Sequence, residues 1–443
     1  MTSLDTGSAA DPATDHTDEL ARAQRHTVRT LVVSQAIGGV GLSSAIAVAA
    51  LLAKDVTGSD SLSGLAQTAQ VLGAAVGAAV LAGYMAHHGR RPGLSIGYLV
   101  GALGAALCIV AGTVRSFPVL LVGAVLLGAV TASNQQTRYA ATDLAVPARR
   151  GRDLSTVVWS TTIGSVLGPN LTGPGGAVAG WLHVPTRTGP FVISVVTLVA
   201  TAVVVAVRLR PDPLLLAREA RLRDRAGDGA VEKATDLRTA WRVVRHTPLV
   251  RAAALGLGLT HAVMVSVMVM TPIHMDHGGA SLEVIGLVIS AHVLGMYAVS
   301  PLVGRLVDRY GSPPVLGVGG LILLAALVLA GLSAPGASPG LGLGLFLLGL
   351  GWSFGSVASS TLLTAATPAV HRPRVQGLVD MTTGFTAAAC GAVAGLVVGS
   401  VGYSWLNVGA AVLAFGVVLV AVAAGRRASE ADEHLAGVAA GQE

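Results

Sequence analysis

Long apolar stretches alternate with short polar segments along nearly the whole chain. Twelve of these stretches are long enough to cross a bilayer: 30–52, 62–86, 93–113, 117–142, 154–180, 189–209, 249–275, 281–303, 314–334, 340–366, 376–399 and 403–425. An apolar run of about 20 residues spans hydrocarbon as a helix, because every backbone amide must find its partner inside its own segment. The pattern predicts an all-α membrane protein with 12 transmembrane helices. A charged stretch, Arg210 to Pro248, divides the spans six and six. The expected organisation is a disordered cytoplasmic tail over 1–29, a six-helix half over 30–209, a cytoplasmic linker over 210–248, a second six-helix half over 249–425 and a cytoplasmic tail over 426–443.

Composition agrees. The chain is 52% hydrophobic and 12% charged, where soluble domains carry about a quarter charged residues. Cys108 and Cys390 both lie in apolar runs, so no disulfide framework is expected. The N-terminal segment holds Asp5, Asp11, Asp15, Asp18 and Glu19 and lacks the basic start and apolar core of a signal peptide. The net charge of +6 does not point to nucleic acid, because the basic residues sit in loops between spans. Inner segments collect Arg22, Arg25 and Arg29, Arg90 and Arg91, Arg149, Arg150 and Arg152, the linker arginines, Arg305 and Arg309, Arg372 and Arg374, and Arg426 and Arg427. Outer loops hold Lys54, Arg115 and Arg187. This bias places both termini in the cytoplasm. Abundant alanine, glycine and arginine with only two lysines suggests a GC-rich bacterial genome, hence a multi-pass protein of the plasma (inner) membrane.

The halves repeat. "GYMAHHGRRP" from Gly83 follows span two, and "GRLVDRYGSPP" from Gly304 follows span eight, half a chain later. "RRGRDLS" before span five recurs loosely as "HRPRVQG" before span eleven. Such internal repeats mark carriers whose halves rock about a central site. Gly304, Asp308, Arg309 and Gly311 resemble the G-x-x-x-D-R-x-G loop motif of the major facilitator superfamily. The resemblance covers residues 30 to 425 and implies the superfamily fold, two pseudo-symmetric six-helix halves. It also implies that the acid and its basic neighbours latch helix ends on the cytoplasmic side. The first-half copy departs from the motif: His87 stands where the acid belongs and the stretch is one residue short. Span five contains "GSVLGPNLTGPGG" from Gly164, which looks like the glycine-proline motif of exporter branches. Close helix packing at Gly164 and Gly168 explains it equally well.

Ionisable groups within spans are few. Arg138 and Asp143 lie at the inner end of span four, placed to pair with each other or with Asp153, and Asp380 lies about one turn into span eleven. All three read as inner-gate ion pairs or snorkelling groups. No Asp or Glu falls at the middle of a span, which weakens proton-coupled export of cations. Gln35, Gln67, Gln70, Asn134, Gln135 and Gln136 are more central, suited to a wet cavity or to bonds between helices.

Spans seven and eight carry "HAVMVSVMVMTPIHM" and "SAHVLGMYAVS". Met264 and Met268 are one helical turn apart, as are His292 and Met296. Counted from the turn near Asp276 to Ala280, Met264 and His292 both lie roughly 16 Å deep. Thioether and imidazole are soft ligands that favour cuprous copper over hard cations. M-x-x-x-M in span seven with H-x-x-x-M in span eight resembles the CcoA-like copper importers of the superfamily. That resemblance implies copper-carrying roles for Met264, Met268, His292 and Met296. His261, His274 and His277 could extend the path. The same tetrad is also open to two other readings, part of a pocket for an organic solute, or flexible core filling of the kind Met85, Met270, Met275 and Met381 supply elsewhere.

These observations lead to a secondary transporter working by alternating access, as a functional monomer in a lipid bilayer, with no cofactor. No phosphate-cradling G-x-x-x-x-G-K-[ST] occurs, and a carrier rather than an enzyme is expected. Three functions stay open: import of copper as substrate, transport of a small organic molecule or drug (proton-coupled or by export) through groups such as Gln35 and His261, and a non-transporting receptor or scaffold.

Overall fold

The structure is a computed structural model that describes residues 12–58, 60–224, 236–280, 282–334 and 339–440. The first half comprises α1 (Pro12–Thr57), α2 (Asp60–His88), α3 (Arg90–Val114), α4 (Phe117–Ala140), α5 (Arg150–Asn170), α6 (Thr172–Trp181) and α7 (Gly189–Arg208). Two linker helices follow, α8 (Pro213–Asp224) and α9 (Leu237–His246). The second half comprises α10 (Pro248–His277), α11 (Leu282–Tyr297), α12 (Ser300–Tyr310), α13 (Ser312–Leu332), α14 (Pro339–Ala366), α15 (Arg372–Val401) and α16 (Tyr403–Ala440). Among the described residues, eleven helices are long and apolar enough to cross a membrane.

The remaining span, the fifth, is broken. The run Pro169 to Gly176 removes amide donors and supplies little side-chain restraint, and the helix interrupts at Leu171 between α5 and α6. The eighth span is likewise divided into α11 and α12 by a turn at residues 298–299.

At both termini the helices outrun the sequence expectation. Residues 1–11 and 441–443 lie outside the described residues, but α1 already begins at Pro12 and α16 runs to Ala440. The N-terminal extension is held by packing that a span count does not see. Gln24 Nε2 donates to the Ala141 carbonyl at 2.7 Å and to Asp153 Oδ2 at 2.6 Å, and Thr27 and Thr30 are buried.

Each half has its own apolar core. Leu31, Leu94, Tyr98, Leu120, Phe191 and Leu198 anchor the first. Val263, Val267, Leu323, Leu341 and Leu345 anchor the second. Two further clusters combine both halves. Tyr139 packs with Val250, Leu363 and Val375, and Leu154 packs with Val303, Val307 and Val357. Both sit toward the end of the bundle that carries the linker, called the linker end below. Ala240 of α9 is fully buried in the first of these mixed clusters, so the linker docks beneath the second half.

The internal repeat is visible in the backbone. Gly89 ends α2 at φ 94°, ψ 173°, and Gly311 ends α12 at φ 83°, ψ 163°. Both are left-handed conformations that glycine reaches without Cβ strain. The two copies of the loop motif therefore make the same turn despite their different lengths.

The halves meet along two seams, α2 against α15 and α5 against α11 and α12. Gly377 lies on Ala78 and Ala82, and Gly384 lies on Ala75. Gly304 lies on Gly151 and Ser155, where a Cβ on Gly304 would overlap the Gly151 carbonyl and the Ser155 hydroxyl. These contacts run from the linker end to about mid-helix. Gly304→Val should force the α5–α12 seam apart, at a cost of about 1–3 kcal/mol for overpacking. Gly286→Ala is the control, since nothing lies within 4 Å of its added carbon. Thermal unfolding in detergent should show a loss of several degrees for the first and little change for the second.

Candidate functional site

Two polar devices close the linker end. The first is a latch at the second-half motif. Asp308 Oδ1 accepts the Gly151 amide at 2.7 Å, and Oδ2 accepts the Arg152 amide at 2.8 Å. These are unsatisfied N–H groups at the start of α5, where a helix N-terminus favours a carboxylate. Arg309, its motif neighbour, stacks over Tyr310. In the first half, where His87 replaces the acid, the arrangement differs. Asp212, after α7, accepts the Arg91 amide at 2.7 Å and the Leu214 amide at 3.0 Å. That carboxylate ties α3 to α8, within the first half and its linker, and Arg374 lies against Gly83 across the α2–α15 seam. The two latches are therefore unequal: one joins the halves through an acid, the other does not.

The second device is a buried network across the seam. Arg90 is fully buried; its Nε donates to Asp143 Oδ2 at 2.8 Å, its Nη1 to Gln136 Oε1 at 2.8 Å and its Nη2 to Gln376 Oε1 at 2.8 Å. Gln136 Nε2 in turn donates to Asp380 Oδ2 at 3.2 Å. Asp380 Oδ1 receives Arg138 Nη2 at 2.7 Å and the Tyr139 hydroxyl at 3.2 Å. Arg138 Nη1 reaches Ser356 Oγ at 3.3 Å. Arg90, Gln136, Arg138, Tyr139 and Asp143 belong to the first half, and Ser356, Gln376 and Asp380 to the second. Two buried ion pairs thus share one hydrogen-bonded chain, which is what allows charge to persist there.

The expected pairing of Arg138 with Asp143 or Asp153 is corrected by this geometry. Arg138 pairs with Asp380, Asp143 with Arg90, and Asp153 is held by Gln24. The reason is tertiary. Arg138 and Asp143 lie on opposite sides of the end of α4, and the partners that face them come from α15 and α3.

About one turn farther from the linker end than Ser356, Trp352 of α14 stands among residues of two other helices, α10 and α11. Its indole Nε1 donates to His261 Nδ1 at 2.9 Å. Tyr297 meets its ring edge-on with centroids 5.7 Å apart. Met264 and Met296 are both buried against it, with Met268 and Val265 alongside. Since His261 Nδ1 accepts the indole proton, the neutral imidazole carries its own proton on Nε2 and presents a donor there. The Arg138 guanidinium lies within electrostatic range of both His261 and Tyr297. On the first-half side, Gln35 Nε2 donates to Thr161 Oγ1 at 3.0 Å and leaves its Oε1 buried without a hydrogen-bond partner. Arg138 Nε, Ser353 Oγ, Thr361 Oγ1 and Thr383 Oγ1 are in the same condition among the described residues.

The sequence-derived tetrad is brought together in part. Met264 and Met296 share one cluster and Met268 touches it. His292 is buried, and its Nδ1 sits 2.9 Å from the Leu345 carbonyl. A carbonyl only accepts, so Nδ1 carries the proton, and the bare Nε2 has no hydrogen-bond partner among the described residues. His274 stacks on Tyr403, away from this group. Sequence reasoning missed Arg90, which looks like an ordinary loop arginine, and Trp352 and Tyr297, which look like core aromatics. A single tryptophan in the small-residue run "GLGWSFGS" was the one available signal.

Comparison with known proteins agrees with this architecture. The sequence profile of the Major Facilitator Superfamily matches residues 31–278 and 254–440. The chain is 35% identical over 411 residues to the uncharacterised MFS-type transporter YddS of Bacillus subtilis (strain 168), covering 92% of each. It is 26% identical to the riboflavin transporter RfnT of Brucella anthropi, covering 87% of this chain and 92% of that one. The crystal structure of the human organic anion transporter MFSD10 superposes with a TM-score of 0.70 at 16% identity, covering 90% of this chain and 99% of that one. Two like halves, a polar lock between them and sequence similarity over nearly the whole length lead to one conclusion: this chain is a membrane transporter of the major facilitator superfamily.

Proposed function

We propose that this protein is a secondary active transporter that carries a small organic molecule with a flat conjugated ring, by alternating access, as a monomer. The carrying observation is the Trp352–His261–Tyr297 cluster within electrostatic range of Arg138, between two halves that are sutured at the linker end. Aromatic walls supply area and stacking for a planar solute, and a few polar groups fix its orientation. The riboflavin transporter among its relatives carries a molecule of that kind. The linker end is the cytoplasmic one, with both termini inside the plasma membrane of a bacterium. The concentration of arginines at this end supports that orientation. Opening toward the cytoplasm then requires the Asp308 latch and the Arg138–Asp380 pair to part.

A second reading has its own observation. Met264, Met268 and Met296 gather in one place, and His292 keeps a bare, buried Nε2. Thioethers with a neutral imidazole suit a cuprous ion, as the sequence resemblance to CcoA-like importers suggests.

The two readings separate in proteoliposomes. Uptake of labelled riboflavin should fall at least tenfold in Trp352→Ala and change little in His292→Ala; full uptake by Trp352→Ala would remove the aromatic site. Copper uptake under reducing conditions, abolished by Met264→Ala and by His292→Ala, would favour the ion instead. A further outcome concerns the lock. Asp143→Ala leaves Arg90 buried without its counter-charge, which should cost about 3–5 kcal/mol. Faster hydrogen exchange at the ends of α4 and α15 should report it, and unchanged exchange there would show that the network does not hold the halves.

A further inference from the structure

We propose that Arg138 is the handle for an anionic group on the cargo, and that Asp380 occupies this handle until the cargo arrives and then takes up a proton. The inference rests on the carrier reading and its central pocket, and it adds the charge of the cargo and the coupling ion.

The argument starts from the donor inventory. A guanidinium offers five N–H groups, and its Nε–Nη edge is the fork that grips a carboxylate or phosphate with two parallel bonds. In the structure Asp380 holds only one prong of that fork. Its Oδ1 takes a single bond from Nη2, and its Oδ2 is turned to Gln136. Nη1 makes only a long bond to Ser356. Nε has no hydrogen-bond partner, although Arg138 is only 5% exposed. The Nε corner of a buried arginine is thus left without a partner, while Nη2 beside it is shared by Asp380 and the Tyr139 hydroxyl at 3.1 Å.

The neighbourhood points the same way. His261 presents an Nε2–H donor, because its Nδ1 is occupied by the Trp352 indole. Tyr297 brings a hydroxyl within range of the same charge. Among the described residues, Asp380 is the one carboxylate paired with Arg138. A guanidinium with an imidazole N–H and a hydroxyl inside its electrostatic range suits an acceptor-rich, negatively charged group. A neutral amide would set its own N–H groups against these donors.

The exchange balances. An incoming oxyanion takes the Arg138 donors, and Asp380 loses its ion pair. Asp380 keeps the Tyr139 hydroxyl and the Gln136 amide of α4 as hydrogen-bond donors. Arg90 of α3 stays committed to Asp143, Gln136 and Gln376, and Ser356 of α14 stays on Arg138. A carboxylate buried without its cation is costly, so it is neutralised by a proton taken from water that enters with the cargo. The proton adds to a carboxylate oxygen of Asp380. The loaded site then holds one guanidinium, one cargo anion and one neutral acid, the same net charge as the empty site. The Arg138–Asp380 bond that crossed the seam is gone, which releases one of the ties at the linker end; the Asp308 latch and the Arg90–Gln376 bond must still part. Release there reverses both steps, and cargo and proton move together.

The test uses the full chain in proteoliposomes loaded with the pH dye pyranine. The probes are two pairs, each pair sharing one ring: flavin mononucleotide with riboflavin, and hippurate with hippuramide. At least one acid should enter tenfold faster than its neutral partner and acidify the interior, while protein-free vesicles show neither effect. Arg138→Gln should lose this uptake at least tenfold. Arg138→Lys, which keeps the charge without the fork, should retain uptake with a raised KM. Asp380→Asn should still bind the acid, read by tryptophan quenching within threefold of the parent, but carry no protons with it. If Arg138→Gln proves unfolded in a thermal scan, Arg138→Gln with Asp380→Asn removes both buried charges together and supplies the same readout. Equal uptake of acid and neutral partner, undiminished uptake in Arg138→Gln, or acid uptake without protons would each overturn the anion handle and leave the carrier standing. Movement of riboflavin alone would do the same. If none of the four solutes moves, this inference and the organic-solute reading fall together.

Discussion

Charge buried between the two halves is the constraint on which the rest of the structure depends. A guanidinium as deep as Arg90 is tolerable only when a carboxylate and further acceptors surround it, and the surrounding groups come from both halves. The same holds for Asp380, whose donors come mainly from α4 although it stands on α15. Closure at the linker end is therefore a condition for satisfying these groups where they lie. Moving the halves apart requires water, a proton or a solute ion to replace what is lost.

Small residues make that arrangement possible. Gly304 against Gly151, and Gly377 against Ala78 and Ala82, let backbones approach until short side chains can bridge the seam. Where the acid of the loop motif is present, at Asp308, it crosses to the opposite half and caps α5. Where histidine replaces it, Asp212 serves only its own half. The resulting asymmetry fastens the α5–α12 seam by a direct carboxylate-to-helix bond and leaves the α2–α15 seam to packing and to the buried network. The Trp352 cluster lies beyond these fastenings. Its methionines are pressed against Trp352, so one set of residues combines a soft, deformable surface with a flat aromatic one.

The apolar periodicity along the chain was enough to predict an all-helical membrane protein, because in hydrocarbon a run of that length has one way to satisfy its backbone; it did not show the breaks at Leu171 and at residues 298–299, nor the helical extensions at the two ends. The repeated loop motif was enough to assign the superfamily, since Gly89 and Gly311 each need a left-handed turn after a span. Partnership was not legible. Arg138 is five residues from Asp143 and far along the chain from Asp380, yet among the described residues it pairs with Asp380. Likewise Met264, Met296 and Trp352 come from three helices, and nothing local to any of them announces the others. Side-chain periodicity fixes which face of a helix is apolar; which helix that face meets follows from how fourteen core segments pack together. The chain by itself thus determined a two-part membrane carrier with most of its arginines at one end. Tertiary packing decided which charges meet, because an ion pair across a seam exists only when two separately built halves bring its members within a hydrogen bond of each other.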